Sequence, residues 1–182
     1  RMEDAGETEG TIASWDFTAT DEQGRETGIS IAKRGGKMVW FMGSAAGGEN
    51  QMPDEATRER MKQAALEWLG KAGFDDMHAT YAQYYSGAGV INFAATKDDI
   101  ILYNDLVKVW VDIETNEVIG ADARNYLFSH TEREMPTPSV SPEEAEAKVS
   151  VNLEIESREL ALIPITTETE RLCYEFKGRW VE

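Results

Sequence analysis

The sequence predicts an α+β fold in which a helix lies on a small antiparallel sheet, an arrangement repeated along the chain. Three observations predict it. Val107, Val109, Val111 and Ile113 alternate with Lys108, Trp110 and Asp112, the period-two pattern of a half-buried strand, and the polar residues 114–117 turn it back through Val118-Ile-Gly-Ala as a hairpin. Such a hairpin is marginal alone and needs a covering layer. Met61, Ala64, Ala65, Trp68 and Ala72 recur at helical spacing, so an amphipathic helix supplies that layer. Two large apolar residues flank a polar one at Trp15-Asp16-Phe17, Ile91-Asn92-Phe93 and Tyr174-Glu175-Phe176, which points to three copies of one strand.

Residues 1–10 are small and acidic and read as a frayed entry. From Thr11 to Thr18, Ala13, Trp15 and Phe17 share a strand face. Ile29 and Ile31 open a second strand, and Lys33-Arg-Gly-Gly36 is a tight connection whose glycines accept positive φ before Lys37 to Met42 returns. Gly43 to Gln51 is a Gly/Ala/Ser-rich linker. Pro53-Asp54 opens the helix, Glu67 and Lys71 pair on its surface, and Gly73 ends it, giving a helix over 54–72.

Met77 to Tyr85 reads as a strand with Tyr81, Tyr84 and Tyr85. Val90 to Thr96 is the next, Asp98-Asp99 a turn, and Ile100 to Tyr103 runs into the Val107 strand. Asn125 to Glu134 leaves the hairpin as a polar linker that Pro136 and Pro138 stiffen. Ser141-Pro142-Glu143-Glu144 is a capping box that starts a helix carrying Ala145 and Val149. Leu153 to Ile163 and Arg171 to Phe176 are strands. The hairpins at Ile29/Met38 and Val109/Val118 lie 80 residues apart, and the prolines at 53 and 142 lie 89 apart, so the repeat is helix, strand, strand, hairpin.

This unit resembles a PepSY domain. The runs Asp98-Asp-Ile-Ile-Leu-Tyr-Asn-Asp-Leu-Val-Lys-Val, Tyr126-Leu-Phe-Ser-His130, Ser141-Pro-Glu-Glu-Ala, Leu160-Ala-Leu-Ile-Pro164 and Leu172-Cys-Tyr-Glu-Phe-Lys-Gly178 are similar to the C-terminal region of the YpeB family of spore germination proteins. The resemblance is closest over residues 75–182 and weaker over 1–50. It implies tandem PepSY-like units: the C-terminal part of a first over 1–45, a complete unit over 50–130, and the N-terminal part of a third over 139–182. It further implies a non-catalytic protein-interaction module supporting the localisation, stability or inhibition of a SleB-like cortex-lytic enzyme. The place implied is the spore inner-membrane region, outside the cytoplasm, where the parent protein is anchored by a segment absent here.

The chain carries 34 acidic and 18 basic residues, a net charge of −16, and a field of that sign repels nucleic acid and anionic membrane surfaces. At 182 residues, 41% hydrophobic and 29% charged, it reads as globular. No apolar run reaches the roughly 18 residues that span a bilayer. Arg1 is no natural start, so the sequence reads as an excised piece. Cys173 is the single cysteine, and with two histidines the chain has no Cys/His zinc cluster, no calcium-loop pattern and no cofactor motif.

His78 and His130 read as structural or solvated, and Cys173 as an inert thiol. A glycosidase needs two carboxyl groups about 5–10 Å apart across a sugar cleft, which spacing alone does not identify. No catalytic residue is therefore assigned; a carboxylate cell-wall hydrolase and a PepSY-type peptidase inhibitor stand as alternatives. Trp110, on the strand face opposite the valines, is a partner anchor or is covered by a neighbouring unit. Tyr84 and Tyr85, beside Tyr81, pose the same choice. Partner binding is assigned to Trp110, Tyr84 and Tyr85.

Overall fold

The computed structural model describes residues 1–47, 52–166 and 169–181; the end of the linker at 43–51 lies outside them. Among these residues ten strands form one hydrogen-bonded sheet, with β1 (Met2–Thr8), β2 (Ser14–Thr20), β3 (Glu26–Ala32) and β4 (Met38–Met42) followed by β8 (Val118–Asp122), β7 (Ile100–Asp112), β6 (Ala88–Lys97) and β5 (Met77–Tyr85). A last hairpin, β9 (Leu153–Pro164) and β10 (Glu170–Trp180), joins through β9. The protein is a mixed α/β structure dominated by sheet.

Helix α1 (Glu55–Lys71) begins where the sequence places it. Asp54 is the N-cap and accepts the Thr57 amide at 2.7 Å. It ends in a Schellman motif: Phe74 N–H donates to Leu69 O at 2.9 Å and Gly73 N–H to Gly70 O at 3.2 Å, with Gly73 at φ +79°. Leu69 and Phe74 are both buried, the apolar contact that accompanies the motif. The buried stripe is Met61, Ala65 and Leu69, one residue round from the expected centre, and it packs on Ile91, Phe93, Val107, Val109 and Val111. Trp68 is half-buried at its margin, 5.4 Å from the Phe41 ring. A Cβ at Gly89 would stand 2.5 Å from Met61 Cε, so the bare backbone there lets the helix approach the sheet.

Five expectations are corrected. Residues 2–8 are not a frayed entry but strand β1, paired with β2; every residue is exposed and the strand has no apolar alternation to mark it. The second strand starts at Ser14, so Ala13 precedes it, and Trp15 is 46% exposed. Residues 124–129 form a short helix, α2 (Arg124–Ser129), within the predicted linker. Helix α3 (Pro142–Glu146) has the predicted capping box but stops before Val149, since Lys148-Val-Ser-Val-Asn is poor helix material and α3 has no buried stripe to extend it. Pro53 precedes its cap whereas Pro142 follows its own, so the two prolines are not equivalent positions.

The edges of β7 organise the sheet. One edge pairs with β6 on both sides of a break at 103–105. The other pairs with β9 in parallel at 100–102 and with β8 antiparallel at 108–111. β4 then joins β8 through Trp40–Asp122, Phe41–Ala121 and Met42–Gly120.

Candidate functional site

Where β7 changes partner, it bulges. Ala94 of β6 faces Leu106 and Ala95 faces Leu102, so Tyr103, Asn104 and Asp105 have no opposite residue. A bulge re-aims side chains, and all three here reach the last hairpin or the segment leading to it. Tyr103 Oη lies 2.8 and 3.0 Å from the Glu175 carboxylate oxygens, and Asn104 Nδ2 donates to Glu170 Oε1 at 2.8 Å. Asp105 is fully buried; its two oxygens accept from Arg133 Nη2 at 2.7 and 2.8 Å, and Oδ2 also lies 2.8 Å from His130 Nδ1. Arg133 Nη1 closes the set on Glu170 at 2.5 Å.

Burial opposes the charge on Arg133, yet its bonds to Glu170 and the nearby Asp105 charge prevail and raise its pKa. Burial, reinforced by the Glu175 carboxylate, pushes the Tyr103 phenol well above the ordinary tyrosine range, so it remains a donor. The His130 ring stacks on Tyr126 at 4.4 Å, and Tyr126 meets the edge of Phe74 at 5.1 Å. A continuous path of packed and bonded side chains therefore runs from the end of α1 to β10.

Asp105 and His130 have the contact of two members of a nucleophile triad. Among the described residues, however, no hydroxyl or thiol hydrogen-bonds His130, and Asp105 is also held by Arg133. The arrangement clamps segments together. Sequence reading passed over Tyr103, Asn104, Asp105, Arg133 and Glu170. The available signal was Tyr-Asn-Asp interrupting a strand that alternates on either side, since Asn and Asp are depleted in strands.

A second polar cluster adds to the hairpin's hold. Glu159 lies 3.4 Å from His78 Nε2, and Lys177 lies 3.6 Å from Glu175 and donates to Thr80 O at 3.3 Å. His78 and His130 thus both pair with carboxylates. Cys173 is half-buried, its Sγ 3.7 Å from Arg171 O, beside an apolar groove of 350 Å³ under Val140, Leu160, Leu172 and Phe176. Among the described residues no group of three or more His, Cys, Asp or Glu is placed to hold a metal ion.

Trp110, Tyr84 and Tyr85 do not form one patch. Trp110 pairs with Val90 and Gly120 on the sheet face away from α1 and is half-buried. Tyr85, 46% exposed, shares that face in the row of Ala88 and Asp112. Tyr84 points the other way, over Gly89 beside α1, and is half-buried against the core. Tyr81, 56% exposed, lies on the Tyr85 face.

Comparison with known proteins places this architecture. A family model described as YpeB sporulation, PepSY1 and PepSY2 domains, matches residues 2–136, so the fold is of the PepSY class. The chain belongs to the YpeB family of sporulation proteins. It is 28% identical over 151 residues to the sporulation protein YpeB of Halalkalibacterium halodurans, covering 82% of this chain and 33% of that protein. For the sporulation protein YpeB of Bacillus subtilis the values are 29% over 152 residues, 82% and 33%. The chain thus spans about a third of the length of these curated relatives. The solved C-terminal domain of Bacillus megaterium YpeB superposes with a TM-score of 0.85 at 25% identity, over 99% of this chain and 79% of that one.

Proposed function

We propose that the chain is a non-catalytic protein-interaction module of spore germination that supports the localisation, stability or inhibition of a SleB-like cortex-lytic enzyme. The observation that carries the reading is how the buried Asp105 carboxylate and the exposed His130 beside it are used. Asp105 and His130, the arrangement nearest to a catalytic pair, serve with Arg133 to fasten β9–β10 to β7. Membership of the YpeB family supports the setting. The parent protein acts at the spore inner membrane, outside the cytoplasm, through an anchor elsewhere in its length; no described helix here is long and apolar enough to cross a membrane.

In this reading residues 1–45, 50–130 and 139–182 are successive PepSY-like units. The β4–β8 pairing joins the first to the second, and the β7 bulge joins the second to the third. A rigid joined sheet presents a fixed surface, which lowers the ordering cost of binding. Partner contacts are assigned to Trp110 and Tyr85 on one face and Tyr84 on the other.

Incubating the purified chain with spore-cortex peptidoglycan, with and without the lytic enzyme, tests this. The chain alone releases no muropeptides, and with the enzyme present it changes the rate or durability of the enzyme's release. Muropeptides released by the chain alone, and abolished by changing one carboxylate, would instead establish a hydrolase. Inhibition of an unrelated peptidase would favour the peptidase-inhibitor alternative.

A further inference from the structure

Beside α1 the sheet is left uncovered at its edge. Among the described residues β5 pairs only with β6, leaving its outer edge without a strand. A bulge at Thr80, whose carbonyl is taken by Lys177, limits the open stretch to 81–85. Between that edge and the first half of α1 runs a groove of 310 Å³, floored by Ala79, Ala82 and Ile91 and flanked by Arg58 and Lys62. The two alanines are short, so the groove has depth. An edge strand next to a helix-walled groove is the geometry by which extended peptides add to a sheet: backbone bonds supply affinity and alternate side chains specificity.

The charges select the peptide. In a chain of net charge −16, Arg58 is half-buried on the groove wall; its amide donates to Asp54 O within the helix, and among the described residues its guanidinium makes no hydrogen bond or ion pair. Its charge reaches Tyr84, whose phenol burial raises and Arg58 partly restores. Lys62 pairs with Glu59 at 2.6 Å, leaving Glu55, exposed in the first turn, as the groove's other carboxylate. On the opposite face of the same strand Tyr81 and Tyr85 are exposed and ready for apolar contact.

We infer that the 81–85 edge of β5 binds an extended partner segment in which carboxylate residues alternate with apolar ones. The carboxylates enter the groove, their methylenes on Ala79 and Ala82 and their oxygens at Arg58. The apolar residues lie against Tyr81 and Tyr85. This rests on the protein-interaction reading above and names the chemistry of the partner.

The test uses a dye-labelled peptide alternating valine and glutamate, titrated against the full chain by fluorescence anisotropy, with a valine–lysine peptide as control. The glutamate peptide binds at least about tenfold more tightly, and Arg58→Glu, on the helix surface, inverts the preference. N-methylating the glutamate amides or the valine amides separately affects binding unequally, because only one set faces β5. Equal binding of the two peptides, equal tolerance of both methylations, or self-association of the chain through this edge overturns the inference. Capture of the lytic enzyme separates it from the broader reading. An enzyme held equally by wild type and Arg58→Glu rejects the groove alone; an enzyme not held by wild type rejects both.

Discussion

Arg133 Nη2 stands 2.7 and 2.8 Å from the two oxygens of Asp105, a carboxylate with no exposed surface, 28 residues earlier in the chain. The bond ties the segment after α2 to the bulge of β7, and through Glu170 to the last hairpin. Removing one member of a buried pair leaves the other charge uncompensated, so Asp105→Ala costs about 3–5 kcal/mol in urea unfolding. Adding Arg133→Met to Asp105→Ala recovers a large part of the loss. Hydrogen exchange in β10 rises in the single variant more than it does in α1.

Tyr103→Phe removes the donor to Glu175 and costs about 1.5–3 kcal/mol, the range for a bond to a charged group. The raised phenol pKa carries a sign. The contribution is fully present below the ordinary tyrosine pKa of about 10 and is lost as pH rises beyond it, because the unfolded chain ionises first. Unfolding midpoints of wild type fall more steeply above that pH than those of Tyr103→Phe.

Asp112 works in the opposite limb. Burial raises its pKa, but amide donors from Ala46, Thr115 and Glu114 outweigh that and leave it lowered. Its contribution is present above about pH 4, the unfolded value, and disappears as pH falls through the lower folded value. Asp112→Asn flattens the acid limb of a stability–pH curve and frees the 43–47 segment, which an Ala46 amide exchange measurement detects.

Helix α1 and the β7–β8 hairpin were legible in the sequence because their signals are local: a cap at Asp54, a glycine at Gly73, alternation through Val107 to Val111. β1 was not, because an exposed edge strand such as Met-Glu-Asp-Ala-Gly-Glu-Thr has no buried face to pattern. The Asp105 clamp was not legible either. Its partners lie 25, 28 and more residues away, brought together by a bulge and by the parallel pairing of β9 that no local periodicity encodes. Tyr84 and Tyr85, grouped as neighbours, fall on opposite faces as successive strand residues must.

The stripe on α1 sets the stability of the central sheet. Leu69→Ala costs about 2–5 kcal/mol, as for other fully buried leucines. Trp68→Ala costs less than the 3–5 kcal/mol of a fully buried tryptophan, since its ring is half-exposed. Gly73→Ala forces a side chain into left-handed backbone and costs about 1–2 kcal/mol. Thermal and urea unfolding of the three variants rank them.

Binding of the purified cortex-lytic enzyme to the immobilised chain, measured as a titration, tests the central claim most directly. Saturable binding is predicted, weakened by about tenfold or more in Trp110→Ala at a temperature where that variant is still fully folded, as for an aromatic anchor at an interface. Absence of saturable binding to the folded wild-type chain would contradict the account.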